Sequence, residues 1–124
     1  MAVTLSETAR NGIADYVCGR INDGGTGSVR FFTSGNSLVA KLNFSDIAFQ
    51  PAVGGTAVNN PISPDAFTLG GVIDTFKVFS GGGIEIFGGT CSAISGGGDI
   101  ELFTLTITPN DVVDLSRLTF SAPS

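Results

Sequence analysis

A chain of 124 residues with a net charge of −5 has room for one ordinary domain and not for two with separate cores. Only 14% of its residues are charged against 42% hydrophobic, which excludes a charge-rich disordered tail. The six cations, Arg10, Arg20, Arg30, Lys41, Lys77 and Arg117, are dispersed along the sequence, which argues against a phosphate-binding face and a nucleic-acid partner. No apolar run approaches the roughly 20 residues that span a bilayer, and no secretory leader pattern opens the chain. No membrane partner is expected, and synthesis in the cytoplasm is. Eighteen glycines and ten phenylalanines beside one Tyr and no Trp or His suit short strands and tight turns.

The chain opens with a T-x-x-E capping box at Thr4 and Glu7, after which Leu5, Ala9, Ile13, Tyr16, Val17 and Ile21 trace one apolar stripe at helical spacing. A helix over Thr4 to Ile21 is therefore predicted, closed by Asn22-Asp23-Gly24-Gly25, so that residues 1–24 form a helix and turn. From Ser28 the hydrophobic period becomes two, and residues 28–124 read as the β part of the same single domain. Ser28 to Thr33 reads as a strand, then Leu38, Ala40, Leu42 and Phe44 alternate with polar neighbours as a second. Phe49 to Val58, broken by Pro51 and Gly54-Gly55, reads as a bulged or edge segment leading into a loop through Asn59, Asn60, Pro61 and Pro64.

Two glycine triplets follow, each flanked by strand-like sequence. Val72 to Phe79 and Ile84 to Phe87 flank Gly81-Gly82-Gly83, and Thr90 to Ile94 and Ile100 to Thr108 flank Gly96-Gly97-Gly98. Both are predicted to be hairpins. In the last of these arms Phe103, Leu105 and Ile107 are expected to face inward. Leu115 to Ser121 closes the chain as a strand with Leu118 and Phe120 inward. The expected fold is mainly β: an antiparallel β-sandwich or barrel of about seven or eight short strands with one N-terminal helix.

Chemistry is sparse. Without histidine, Ser-His-Asp, Cys-His and His-metal sites are impossible. The carboxylates Asp46, Asp65, Asp74, Glu85, Asp99, Glu101, Asp111 and Asp114 fall mostly in turns or on the polar face of alternating strands, where capping and solvation are their ordinary uses. Neither glycine triplet carries the lysine of a phosphate-binding loop, and Gly96 to Asp99 lacks the repeat of a calcium-binding nonapeptide. No catalytic, cofactor or metal residues are expected, and the protein is read as a non-enzyme. Cys18 and Cys91 lie far apart with no CxxC and read as buried free thiols. Asn43-Phe44-Ser45 matches the glycosylation sequon inside a strand, with no secretory signal to give it use.

Phe44, Phe76, Phe103 and Phe120 sit at core positions of alternating strands. The adjacent pair Phe31-Phe32 must face both sides of its sheet, and Phe67 follows a Pro-rich loop, so these imply a second apolar face covered by the helix or by another chain. Candidate protein contacts are Phe31, Phe32 and Phe67, the segment from Gly54 and Gly55 to Pro61 and Pro64, and the terminal segments Met1 to Val3 and Ser121 to Ser124. The absence of Trp and the single Tyr weigh against a carbohydrate-binding or adhesion module, which stays as the alternative from another class.

The run Leu5-Ser6-Glu7-Thr8-Ala9-Arg10-Asn11, the strand end Leu42 to Phe49, and the order of glycine-rich turns and threonine-rich strands resemble a family of small tailed-bacteriophage virion proteins across essentially the whole chain. The segment Pro109 to Leu115 departs from that pattern, which has a shorter loop there. The resemblance implies a structural component of the virion, made in the host cytoplasm, with the major capsid protein or another virion protein as partner. Its most direct form is a capsid decoration or cement protein, acting as a homo-oligomer with a trimer favoured by the symmetry of capsid seats. A neck, tail or fibre-associated role is the alternative. The family supplies no catalytic or ligand residues.

Overall fold

The computed structural model describes residues 3–115 and 117–122. Ser6, with an extended backbone, caps the first helix by accepting the Ala9 N–H at 3.1 Å, so helix α1 runs Glu7–Gly19 and a 3-10 turn continues it over Arg20–Asn22. The capping residue is thus Ser6 in place of the expected Thr4. Glu7 then falls in the first turn, where a carboxylate favours the positive end of the helix dipole. The buried face shares Ile21 with the expected stripe but otherwise differs: Ala14 and Cys18 point inward, while Leu5, Ile13 and Tyr16 are exposed. Small side chains face inward because this helix docks on backbone. Asp15 accepts the Ala52 N–H at 2.7 Å, Asn11 the Gly55 N–H at 2.7 Å and Glu7 the Gly54 N–H at 3.2 Å.

Among the described residues, the strands that follow are β1 Ser28–Phe32, β2 Leu38–Asn43, β3 Thr56–Val58, β4 Gly71–Val72, β5 Thr75–Phe79, β6 Glu85–Ala93, β7 Ile100–Leu102, β8 Thr106–Ile107 and β9 Thr119–Ser121. The main sheet has the order β2-β1-β5-β6-β7, and β3 with β9 and β4 with β8 form two small antiparallel pairs. The fold is mainly β, curled in the manner of a sandwich or barrel, with one N-terminal helix. Register explains the core. Phe31 lies opposite Ala40 and Phe76, and Val29 opposite Leu42 and Val78, and all six are buried. The β3–β9 pair joins this layer where Phe120 meets Phe87 of β6, ring centroids 5.1 Å apart, and α1 packs on β3 and β9.

The segment expected to be bulged or edge folds back at Val53 to Thr56, whose backbones exchange hydrogen bonds at 3.0 and 3.1 Å. Asn59 beyond it is buried: its side-chain oxygen accepts the Leu118 N–H at 3.0 Å, and its own N–H donates to the Leu118 carbonyl at 3.2 Å. That extends the β3–β9 ladder by one pair. Among the described residues of the predicted last strand, Leu118 is buried and Phe120 half-buried; Ser116 lies outside them.

The first glycine triplet forms the expected hairpin between β5 and β6. The second does not. Strand β7 pairs with β6 in parallel, Cys91 opposite Ile100 and Ala93 opposite Leu102, so residues 94–99 make a tight crossover instead of a hairpin. Parallel neighbours usually need a dozen or more connecting residues. Here side chains hold the short path: Asp99 accepts the Thr90 N–H and hydroxyl at 3.0 and 3.2 Å, and Glu101 accepts the Ser95 and Gly97 N–H groups at 3.2 and 3.3 Å. The predicted strand over residues 100–108 also breaks after Leu102. Ile100 and Leu102 take the inward positions, so Phe103 falls outward and is 95% exposed.

Candidate contact surface

Asp65 accepts the Lys41 N–H at 2.9 Å and the Phe67 N–H at 2.8 Å; Asp111 accepts the Thr108 N–H at 2.8 Å; Asp46 accepts from the Asn22 side chain at 3.1 Å. Glu85 lies 3.8 Å from the Lys77 ammonium. With Asp99 and Glu101 at the crossover, most of these acids are engaged in holding loops, and among the described residues no three His, Cys, Asp or Glu side chains converge to hold a metal ion. Both cysteines are free. Burial, with the charge of Asp15 added, pushes the Cys18 thiol up to about 12. Burial, then the charges of Asp74 and Asp99, does the same to Cys91. At neutral pH both are protonated and unsuited to nucleophilic work.

The expected contact residues separate sharply. Phe31 is fully buried against Ala40 and Phe76, so it belongs to the core and not to a contact face. Phe32 is half-buried, its ring 5.4 Å from the Lys77 ammonium. Gly55 is buried under Arg10, whose guanidinium would meet an added Cβ at 2.7 Å, while Gly54 is exposed at the turn tip. Pro61 and Pro64 are exposed. Phe67 is 83% exposed, so it is not covered by the helix. Of the terminal segments, Val3 is exposed and Ser121 pairs with Thr56; Met1, Ala2, Pro123 and Ser124 lie outside the described residues.

Phe67 does not stand alone. Asp65 and Val113 exchange backbone hydrogen bonds at 2.9 Å each, and Thr68 donates its hydroxyl to the Asp111 carbonyl at 2.7 Å, so segments 65–68 and 110–113 run side by side. Val112, exposed on the second segment, also lines a cleft of about 120 Å³ whose other lip is Phe103 and whose floor is Leu102, Ile107 and Val113. Phe67 and Val112 thus stand exposed on adjoining segments, and Val112 shares its cleft with Phe103. The Asp65 side chain, clasping both Lys41 and Phe67 backbones, fixes the Phe67 segment to β2. Sequence reading found Phe67 from its loop, but it missed Val112 and placed Phe103 in the core.

No family model, curated protein or solved structure matches this chain. Among the described residues no helix is long and apolar enough to cross a membrane.

Proposed function

We propose that this chain is a non-enzymatic structural protein of a bacteriophage virion, most directly a decoration or cement protein seated on the assembled head. The observation that carries the reading is the exposure of Phe67, Val112 and Phe103, the first two on adjoining segments and the last two on one cleft. Three large side chains kept in water cost solubility unless a protein surface covers them. The resemblance of the opening run and of the order of sequence segments to small virion proteins supplies the kind of surface. A cement protein binds the assembled lattice and not its free subunits, so it stabilises the particle by mass action.

The test is binding of purified protein to phage heads that lack it, with Phe67→Ser and Phe103→Ser as variants. Both side chains are exposed, so melting temperature is expected to stay within about 2 °C of the parent, while head binding falls by about tenfold or more. Unchanged head binding in both variants overturns the reading of these side chains. Imaging of intact particles that places the protein at the neck, tail or fibres overturns the head assignment.

A further inference from the structure

The six cations that are spread through the sequence are not spread through the fold. Arg30 of β1 lies directly opposite Lys41 of β2 on one side and Lys77 of β5 on the other. Opposed residues of antiparallel strands share a face, so half of the chain's positive side chains stand in one row across three adjacent strands, spanning about 10 Å at the usual strand spacing. The row lies on the face opposite the buried one of Val29, Phe31, Leu42, Phe76 and Val78. Beyond Lys77 the next position is Gly88, exposed and without a side chain, so that side of the row stays open.

Like charges placed directly opposite one another weaken a sheet, and little on the protein offsets them here. Glu85 sits 3.8 Å from Lys77, and Asp65 spends its carboxylate on the Lys41 and Phe67 backbones. Among the described residues no carboxylate pairs with Arg30. Its Nε donates to the Ser28 hydroxyl at 3.2 Å and its guanidinium lies 4.3 Å from the centre of the Phe79 ring. Its terminal nitrogens form a planar fork suited to two carboxylate oxygens.

We infer that the Lys41–Arg30–Lys77 row binds an acidic segment of a partner protein, with Arg30 taking a carboxylate in bidentate fashion and the two lysines taking its neighbours. The aromatic neighbours favour carboxylates over nucleic acid. A single strand would need free ring faces for stacking, whereas Arg30 stands over Phe79 and Lys77 over Phe32. The net charge of −5 also repels a continuous polyanion more than it repels a short peptide with a few carboxylates. The inference is independent of the virion assignment and is tested without particles.

The experiment titrates the full chain with a fluorescent hexaglutamate peptide at low salt, beside a dT12 oligonucleotide and beside sedimentation of the protein alone. Saturable peptide binding is expected, weakened about tenfold in Arg30→Gln and further in the triple Arg30→Gln, Lys41→Gln, Lys77→Gln variant, and lost at high salt. The triple variant is expected to melt no lower than the parent, since mutual repulsion is removed; Lys41→Gln alone, at an exposed position, guards against a folding defect. Absence of peptide binding overturns the inference. So does tighter binding of dT12, which assigns the row to nucleic acid, or self-association abolished by the triple variant, which assigns it to a second copy.

Discussion

Two stretches of three glycines, fifteen residues apart in the chain, end in opposite topologies. Gly81 to Gly83 turn β5 back into antiparallel β6, closed by the Ser80 N–H on the Ile84 carbonyl at 2.8 Å and the Gly83 N–H on the Ser80 carbonyl at 2.9 Å. Gly96 to Gly98 carry β6 round to lie parallel to itself in β7. Each triplet contains one residue in the left-handed region, Gly83 at φ 86° and Gly97 at φ 84°, so backbone freedom does not separate them. What separates them is the company each keeps. The first is held by another loop: Gly81 and Gly82 donate to the Ile21 and Asp23 carbonyls at 3.1 and 3.0 Å. The second is held by carboxylates from its own neighbourhood. Glycine permits a turn, and the groups around it choose which turn is made.

The comparison breaks most visibly at Gly81. A Cβ there would lie 2.4 Å from the Gly25 carbonyl carbon and 2.6 Å from its nitrogen, and both are backbone atoms with no room to yield. Gly81→Ala is expected to cost about 3 kcal/mol and to lower the denaturant midpoint without changing the slope. Gly82→Ala, whose Cβ would come no nearer than 3.8 Å to any neighbour, is the matched control within the same turn. Equal stability of the two variants would mean that the hairpin stands without the Gly24-Gly25 loop.

That pairing of loops shows why some of the fold was legible in the sequence and some was not. The change of period from 3.6 to two was legible, because core strands such as Val29-Arg30-Phe31 alternate over one continuous buried face. The phase of α1 was not: its stripe was read from large side chains, yet the helix docks through Asn11 and Asp15 on backbone N–H groups, so the small Ala14 and Cys18 face inward. Phe103 was misplaced because alternation was carried through a strand that stops at Leu102 and resets before Ile107. The cation row was invisible for a different reason. Residues 30, 41 and 77 become neighbours only through register, and register across three strands is set by long-range packing. Phe67 was read from its Pro-rich approach as part of a second apolar face, under the helix or another chain, and the fold leaves it outside the helix's cover.

At the second triplet the corresponding break is Asp99→Ala, with a smaller effect. It removes the acceptor for the Thr90 N–H and hydroxyl in a partly solvated place, where water can replace part of what is lost. A loss of about 1–2 kcal/mol is expected, with faster amide exchange at Thr90 as the local readout. Ser80→Ala in the first turn removes only the acceptor for the Ile84 N–H, 3.2 Å away, and is expected to cost about half as much. If Asp99→Ala leaves Thr90 exchange unchanged, the crossover does not depend on its carboxylate clamp.

The smallest effect concerns the charge that this clamp brings to β6. Cys91 sits beside the crossover with its thiol pushed up to about 12 from 9.0, first by burial and then by the charges of Asp74 and Asp99. A thiol whose folded pKa is raised stays protonated while the unfolded chain has already lost its proton. Between about pH 9 and 12 the unfolded state therefore binds fewer protons, and stability must fall as pH rises. The contribution is fully present below pH 9 and costs less than about 1 kcal/mol at pH 9.5. Cys18 shares this behaviour, so the measurement belongs in a Cys18→Ala background, following thiolate absorbance at 240 nm against pH. Asp99→Asn is expected to bring the Cys91 midpoint down only part of the way, because burial is the larger cause. A midpoint near 9 in the Cys18→Ala protein itself would show that β6 leaves this thiol open to solvent. The crossover at the second triplet would then be looser than the hairpin it is compared with.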